Sequence, residues 1–222
     1  MHIEPGIVDG AKIILSYGTA AGAGLVALKA GRDDVMRRGA TSFAVRGGIA
    51  AVIVLGLFQV LPHPPVGVSE VHLILGSTLF LLFGAAPAAI GLALGLLVQG
   101  VAFAPFDLPQ YGMNVTTLLV PLFALSYVAD RLIAPQTPYV DLGYRQVLAL
   151  SVTYQAGIVA WVAFWVLYGQ GVTMATLQSV SAFGAAYLAV ILAEPLIDLG
   201  VLAIAKSMPG GLVLERRLHA SA

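Results

Sequence analysis

Seven apolar runs separated by short polar segments take up most of this chain, and that alternation decides what it can fold into. The runs are Ala11–Leu28, Gly47–Leu61, Val71–Phe83, Ala85–Phe103, Val115–Ala129, Val147–Leu167 and Leu177–Ala205. A helix crossing a bilayer needs about 20 predominantly apolar residues, and most of these runs approach or exceed that length. Hydrophobic residues make up 59% of the 222 and charged ones 10%, where a soluble domain carries roughly a quarter charged. The expectation is an all-α, polytopic transmembrane bundle of about seven spans, forming a single domain over residues 1–222. The third run is short, and a run of about 10–14 apolar residues is as consistent with a re-entrant or buried segment as with a span. An alternative arrangement therefore has runs three and four re-entering as a pair, with five true spans.

Charge sets the orientation. Of the 11 basic residues, all but Lys12 fall between runs one and two (Lys29, Arg32, Arg37, Arg38, Arg46), between five and six (Arg131, Arg145), or after run seven (Lys206, Arg216, Arg217). With the N-terminus outside, seven spans put all of these on the cytoplasmic side, as the positive-inside bias requires. The C-terminal tail, residues 206–222, is then cytoplasmic, and the N-terminal segment shares the outer face with the Pro62–His72 loop. The first run is preceded by Glu4 and Asp9 against a single Lys12. A signal peptide has a positive leading region, so this reads as a retained first helix that keeps Met1 and His2. The formal net charge of zero offers nothing to nucleic acid. No glycine-rich loop ending in Gly-Lys-Ser/Thr is present, so any ATP hydrolysis belongs to another chain. The protein itself reads as a non-enzyme.

The absence of cysteine removes disulfides, thiol catalysis and thiolate ligands together. A metal site here must use nitrogen and oxygen, which favours Ni, Co, Cu(II) or Zn over Cu(I). The opening Met1-His2 has that capacity. A terminal amine, the His2 amide nitrogen and the His2 imidazole can close two chelate rings on one ion, leaving one position for His63, His72 or His219. The competing reading of His2 is a mobile terminus, although Pro5-Gly6 marks an ordered turn.

Other polar residues carry two readings each. His72 is a ligand or an interfacial histidine, with Ser69 placed to cap a helix starting there. His63, between Pro62 and Pro64, is a solvated loop residue or a collector of metal at the mouth. Asn114 caps the fifth run or orients a ligating histidine. Gln99 ties helices together or lines the path. Glu194 and Asp198, four residues apart on one helical face and flanking Pro195, form an ion relay, a support for the metal ligands or a contact with a cytoplasmic partner.

Together these segments resemble the CbiM/NikM family, the substrate-capture components of energy-coupling factor transporters for cobalt and nickel. Members typically begin Met-His-Ile-Pro and carry Gly-x-Ser-x-His-Leu two spans later. This chain has Met1-His2-Ile3-Glu4-Pro5 and Gly67-Val68-Ser69-Glu70-Val71-His72-Leu73, with one residue more in each. Leu97-Val98-Gln99, Gly112-Met113-Asn114-Val115 and Ala193-Glu194-Pro195-Leu196-Ile197 follow in family order, and Tyr187 stands where many members have histidine. The resemblance implies a square-planar nitrogen site made by the Met1 amine, the His2 amide and imidazole and the His72 imidazole, with His63, Asn114, Gln99 and Glu194 as supporting or pathway residues. It also implies transported Co(II) or Ni(II), no resident cofactor, a cell inner membrane location, and three partners: a membrane coupling subunit and two cytosolic ATPases. Two other functions compete with this one: a membrane component for a vitamin or another cation, and a non-transport assembly subunit.

Overall fold

The computed structural model describes residues 3–208 and 213–219. It is an all-α bundle with seven α-helices among those residues: α1 (Ile14–Arg38), α2 (Ala40–Val60), α3 (Gly76–Phe83), α4 (Ala85–Ala102), α5 (Tyr111–Leu132), α6 (Tyr144–Gln170) and α7 (Met174–Ala205). Six are long and apolar enough to cross a membrane; α3 is the exception. The single sheet is a hairpin of β1 (Pro65–Val66) and β2 (Ser69–Glu70) between α2 and α3.

Two networks define the ends of the bundle. At one end, the Lys12 ammonium donates to the Gly169 carbonyl at 2.7 Å and the Tyr17 hydroxyl donates to the Pro109 carbonyl at 3.3 Å, gathering the N-terminal segment, the α4–α5 turn and the α6 C-terminus. At the other end, Arg46 donates to the Phe83 carbonyl at 2.6 Å, Arg38 donates to the Leu214 carbonyl at 2.6 Å, and Arg217 donates to the Ile133 carbonyl at 2.9 Å. The chain passes between these ends seven times. Six passes are long helices. The third combines an extended stretch, residues 71–75, with the eight-residue α3. At about 3.3 Å per extended residue and about 1.5 Å per helical one, that pass is about 28 Å long, close to a hydrocarbon core of about 30 Å.

The third pass can be half non-helical because it is surrounded by protein. All residues of α3 except Leu82 are buried, and α3 touches α2, α4, α5, α6 and α7. Irregular backbone at membrane depth is tolerated only where neighbouring protein or enclosed water satisfies its polar groups. The junction is also conformationally unusual: Leu75, a non-glycine residue, has φ 56° and ψ 42°, a left-handed conformation that branched side chains seldom adopt.

Two sequence expectations need correction. The basic stretch from Lys29 to Arg46 is not a loop. α1 continues to Arg38, α2 starts at Ala40, and only Gly39 separates them. Arg46 lies inside α2, fully buried, and is neutralised by Asp34 of α1 and by Glu215, whose Oε2 is 3.5 Å away. Ser69 caps no helix: it is a β2 residue, and the helix begins at Gly76. The far tail packs back onto the bundle: the Glu215 amide donates to the Leu82 carbonyl at 2.7 Å and Leu218 is fully buried. Residues 213–219 thus close the end of α3. This also places His219 at the end of the bundle opposite His63 and His72, excluding it as their co-ligand.

α2 and α4 pack most intimately, because small residues let their backbones approach. A Cβ on Gly91 would collide with Ala50, whereas one on Gly18 would meet nothing within 4 Å. Gly91→Ala should therefore destabilise the protein by about 1–3 kcal/mol through overpacking, and Gly18→Ala should be close to neutral. Thermal unfolding of the two variants in the same detergent measures the contrast.

Candidate metal centre

The site is built on the hairpin. Proline at 62, 64 and 65 keeps this stretch out of a helix, and Gly67 supplies the left-handed turn at φ 65°. Gly67 is needed for a second reason, since a Cβ there would strike the Ser179 carbonyl of α7. The strands pair Pro65 with Glu70 and Val66 with Ser69, and the Val71 amide donates to the Pro64 carbonyl at 3.1 Å.

The start of the described chain adds a third short strand. Ile3 bridges antiparallel to Ser69, and the Glu4 amide donates to the Val68 carbonyl at 3.2 Å. The Ile3 amide donates to Asn114 Oδ1 at 2.9 Å, and the Ile3 side chain is fully buried. Asn114 consequently has a role other than the capping one read from the sequence. α5 already begins at Tyr111, so Asn114 is not its cap; it is the acceptor that fixes the N-terminal segment against the bundle. Met1 and His2, the expected chelate residues, lie outside the described residues.

His63, Glu70 and His72 come together at this end. Each offers one ligand atom, and these atoms lie within 4.8 Å of one another. The imidazole rings of His63 and His72 stack with centroids 4.8 Å apart and planes 4° apart, while the His72 ring meets the edge of Phe58 at 4.9 Å. Glu70 Oε2 is 3.6 Å from His63 Nδ1 and 3.7 Å from His72 Nε2. The side chains grade inward: His63 is 39% exposed, Glu70 24% and His72 1%. Burial raises the Glu70 pKa above the ordinary carboxylate value, and the neighbouring His63 acts in the opposite direction. From the sequence, Glu70 reads as a solvated residue or an interfacial anion attracting cations; its position between two imidazoles follows from the hairpin register that pairs Pro65 with Glu70.

Gln99 is buried in the last turn of α4, and the three-residue cluster is made without it. Glu194 belongs to a separate polar layer deeper in the bundle. It accepts from Ser151 Oγ at 2.8 Å and Gln155 Nε2 at 2.7 Å, both on α6, while Asp198 accepts from Ser77 at 2.6 Å and from Thr78, both on α3. Both carboxylates are fully buried, and among the described residues no Lys, Arg or His pairs with either. Tyr187, where family members have histidine, is also fully buried and packs on Phe183 with ring centroids 4.8 Å apart.

A bundle with six membrane-length helices and a cluster of imidazole and carboxylate ligands at one end defines a multi-pass membrane protein with a candidate site for a divalent cation. The chain belongs to the CbiM family, the cobalt uptake substrate-specific transmembrane region, which matches residues 2–209. It is thus a substrate-specific membrane component of cobalt uptake rather than a known kind of enzyme. No curated protein and no solved structure matches the chain.

Removing the Asn114 acceptor should release the N-terminal strand while leaving the bundle intact. One such hydrogen bond contributes about 0.5–1.5 kcal/mol, so Asn114→Ala should speed exchange of the Ile3 amide by up to about tenfold. Hydrogen exchange at Ile3, compared with amides in α5, measures this.

Proposed function

We propose that this protein is the metal-capturing subunit of an energy-coupling factor transporter that imports cobalt or nickel across the cell inner membrane. The observation that carries the reading is the docking of Ile3 and Glu4 onto the hairpin that leads into His72. It holds the beginning of the chain beside the one fully buried histidine at this end of the bundle. The captured ion is bound by the Met1 amine, the His2 amide and imidazole and the His72 imidazole, and this end of the bundle faces outward. Four nitrogens in a plane suit Ni(II), with Co(II) also accepted.

The opposite end, rich in Arg and Lys, faces the cytoplasm. Partner chains supply the energy: a membrane coupling subunit and two cytosolic ATPases, because this chain lacks a phosphate-binding loop. The family to which the chain belongs supports the cobalt assignment, and the nitrogen-rich mouth supports nickel as the second ion.

Capture should follow the protonation of its ligands. The terminal amine ordinarily titrates near ~8 and an imidazole near ~6.5, and metal binds only their deprotonated forms. The sign is the same for both groups: acidification weakens capture and mild alkalinity strengthens it. Calorimetric titration with Ni(II) and Co(II) between mildly acidic and mildly alkaline buffer should show affinity rising with pH. His72→Ala should abolish high-affinity binding. Equal affinity across that range, together with undiminished binding by His72→Ala, would overturn the reading.

A further inference from the structure

We infer that His63, Glu70 and His72 form a receiving site for the incoming divalent ion, with two imidazoles and one carboxylate as ligands, distinct from the all-nitrogen chelate and sharing only His72 with it. The site presupposes the capture role proposed above. It adds where the ion is first held and in what chemical form.

Geometry is the first support. A nitrogen–oxygen separation of 3.6 or 3.7 Å is too long for a hydrogen bond, which needs about 2.7–3.2 Å. Glu70 Oε2 is nonetheless shielded from solvent and, among the described residues, has no hydrogen-bond partner. The separation instead suits ligands of a common ion: with metal–ligand bonds of about 2.1 Å, the edge of a tetrahedron is about 3.4 Å. Because the two imidazoles stack in parallel, one ring must turn to aim its lone pair at a shared ion, and the more exposed of them, His63, is free of the packed core to do so, lying in the Pro62–Pro65 loop.

The donor set is the second support. A hydrated divalent ion arrives with a shell of oxygens, and carboxylate ligands suit such oxygen-rich, octahedral or tetrahedral species, whereas a planar four-nitrogen site requires the shell to be stripped. The inward gradient of burial, from His63 through Glu70 to His72, orders these steps. His63 and Glu70 accept the ion while it retains water. His72 then remains bound as the other two are exchanged for nitrogens of the chain start. Glu70 also carries negative charge at the mouth, which raises the local concentration of cations.

The test uses the full-length protein with a short N-terminal extension, which removes the free amine and with it the chelate. The extended protein is titrated with Co(II) and with Ni(II) alone, and the magnetism of bound Ni(II) is read by paramagnetic NMR shifts. The expected result is binding of one ion, with bound Ni(II) paramagnetic, as in octahedral or tetrahedral ligation. That binding is lost in extended Glu70→Gln and in extended His63→Ala, both partly exposed positions whose circular dichroism should be unchanged. In the unextended protein, where planar Ni(II) is diamagnetic, the same two substitutions slow metal association. If the extended protein binds nothing while the unextended one binds, the receiving site is refuted and the capture role stands. Binding by the extended protein that survives both substitutions also refutes the site. If neither form binds metal, both readings fall.

Discussion

The fold of the hairpin end of the bundle depends on one constraint: the Ile3 amide is held by Asn114 Oδ1, a side chain of α5. This bond joins residues 111 positions apart in the chain and is buried, so loss of its acceptor would leave an unsatisfied amide. The rest of the architecture at this end is arranged around it. With Ile3 fixed, Glu4 pairs with Val68 and Ile3 with Ser69, and the hairpin acquires a third strand. With the hairpin fixed, His63, Glu70 and His72 share one small volume.

The same hairpin delivers the chain into the bundle centre. Residues 71–75 descend extended, turn at the left-handed Leu75 and continue as α3. Only a segment enclosed by other helices can do this within a membrane. The enclosure brings Ser77 and Thr78 to Asp198, directly before the Glu194 layer. At the opposite end, Arg46 and the returning tail cover the α3 terminus, with the Arg46 guanidinium on the Phe83 carbonyl and the Glu215 amide on the Leu82 carbonyl. The third pass is therefore clamped at both termini: by the hairpin at one end and by a buried ion cluster at the other.

The helices were legible in the sequence wherever a run was long and uniformly apolar. Leu177–Ala205 corresponds closely to α7, and Val147–Leu167 lies within α6. Reading failed where a long-range contact decided the outcome. Arg46 looks like a loop charge, yet it is buried because Asp34 and Glu215 come from other parts of the chain to meet it. Ser69 and Asn114 both look like helix caps, because local propensity is all that a single sequence displays. Their actual partners are the residues at the very start of the chain. His72 could be picked out by its motif, whereas Glu70 could not, since its value depends on the register of a two-residue hairpin strand. The Glu194–Asp198 face was predictable from its spacing, but its division between α6 donors and α3 donors required the fold.

The account's central claim is that a divalent ion is captured at the outer end through His72. X-ray absorption at the metal edge of the Co(II)- or Ni(II)-loaded protein tests it most directly. The account predicts the outer-shell scattering characteristic of imidazole rings, diminished in His72→Ala. A shell of oxygen alone, or a spectrum unchanged by loss of His72, would contradict it.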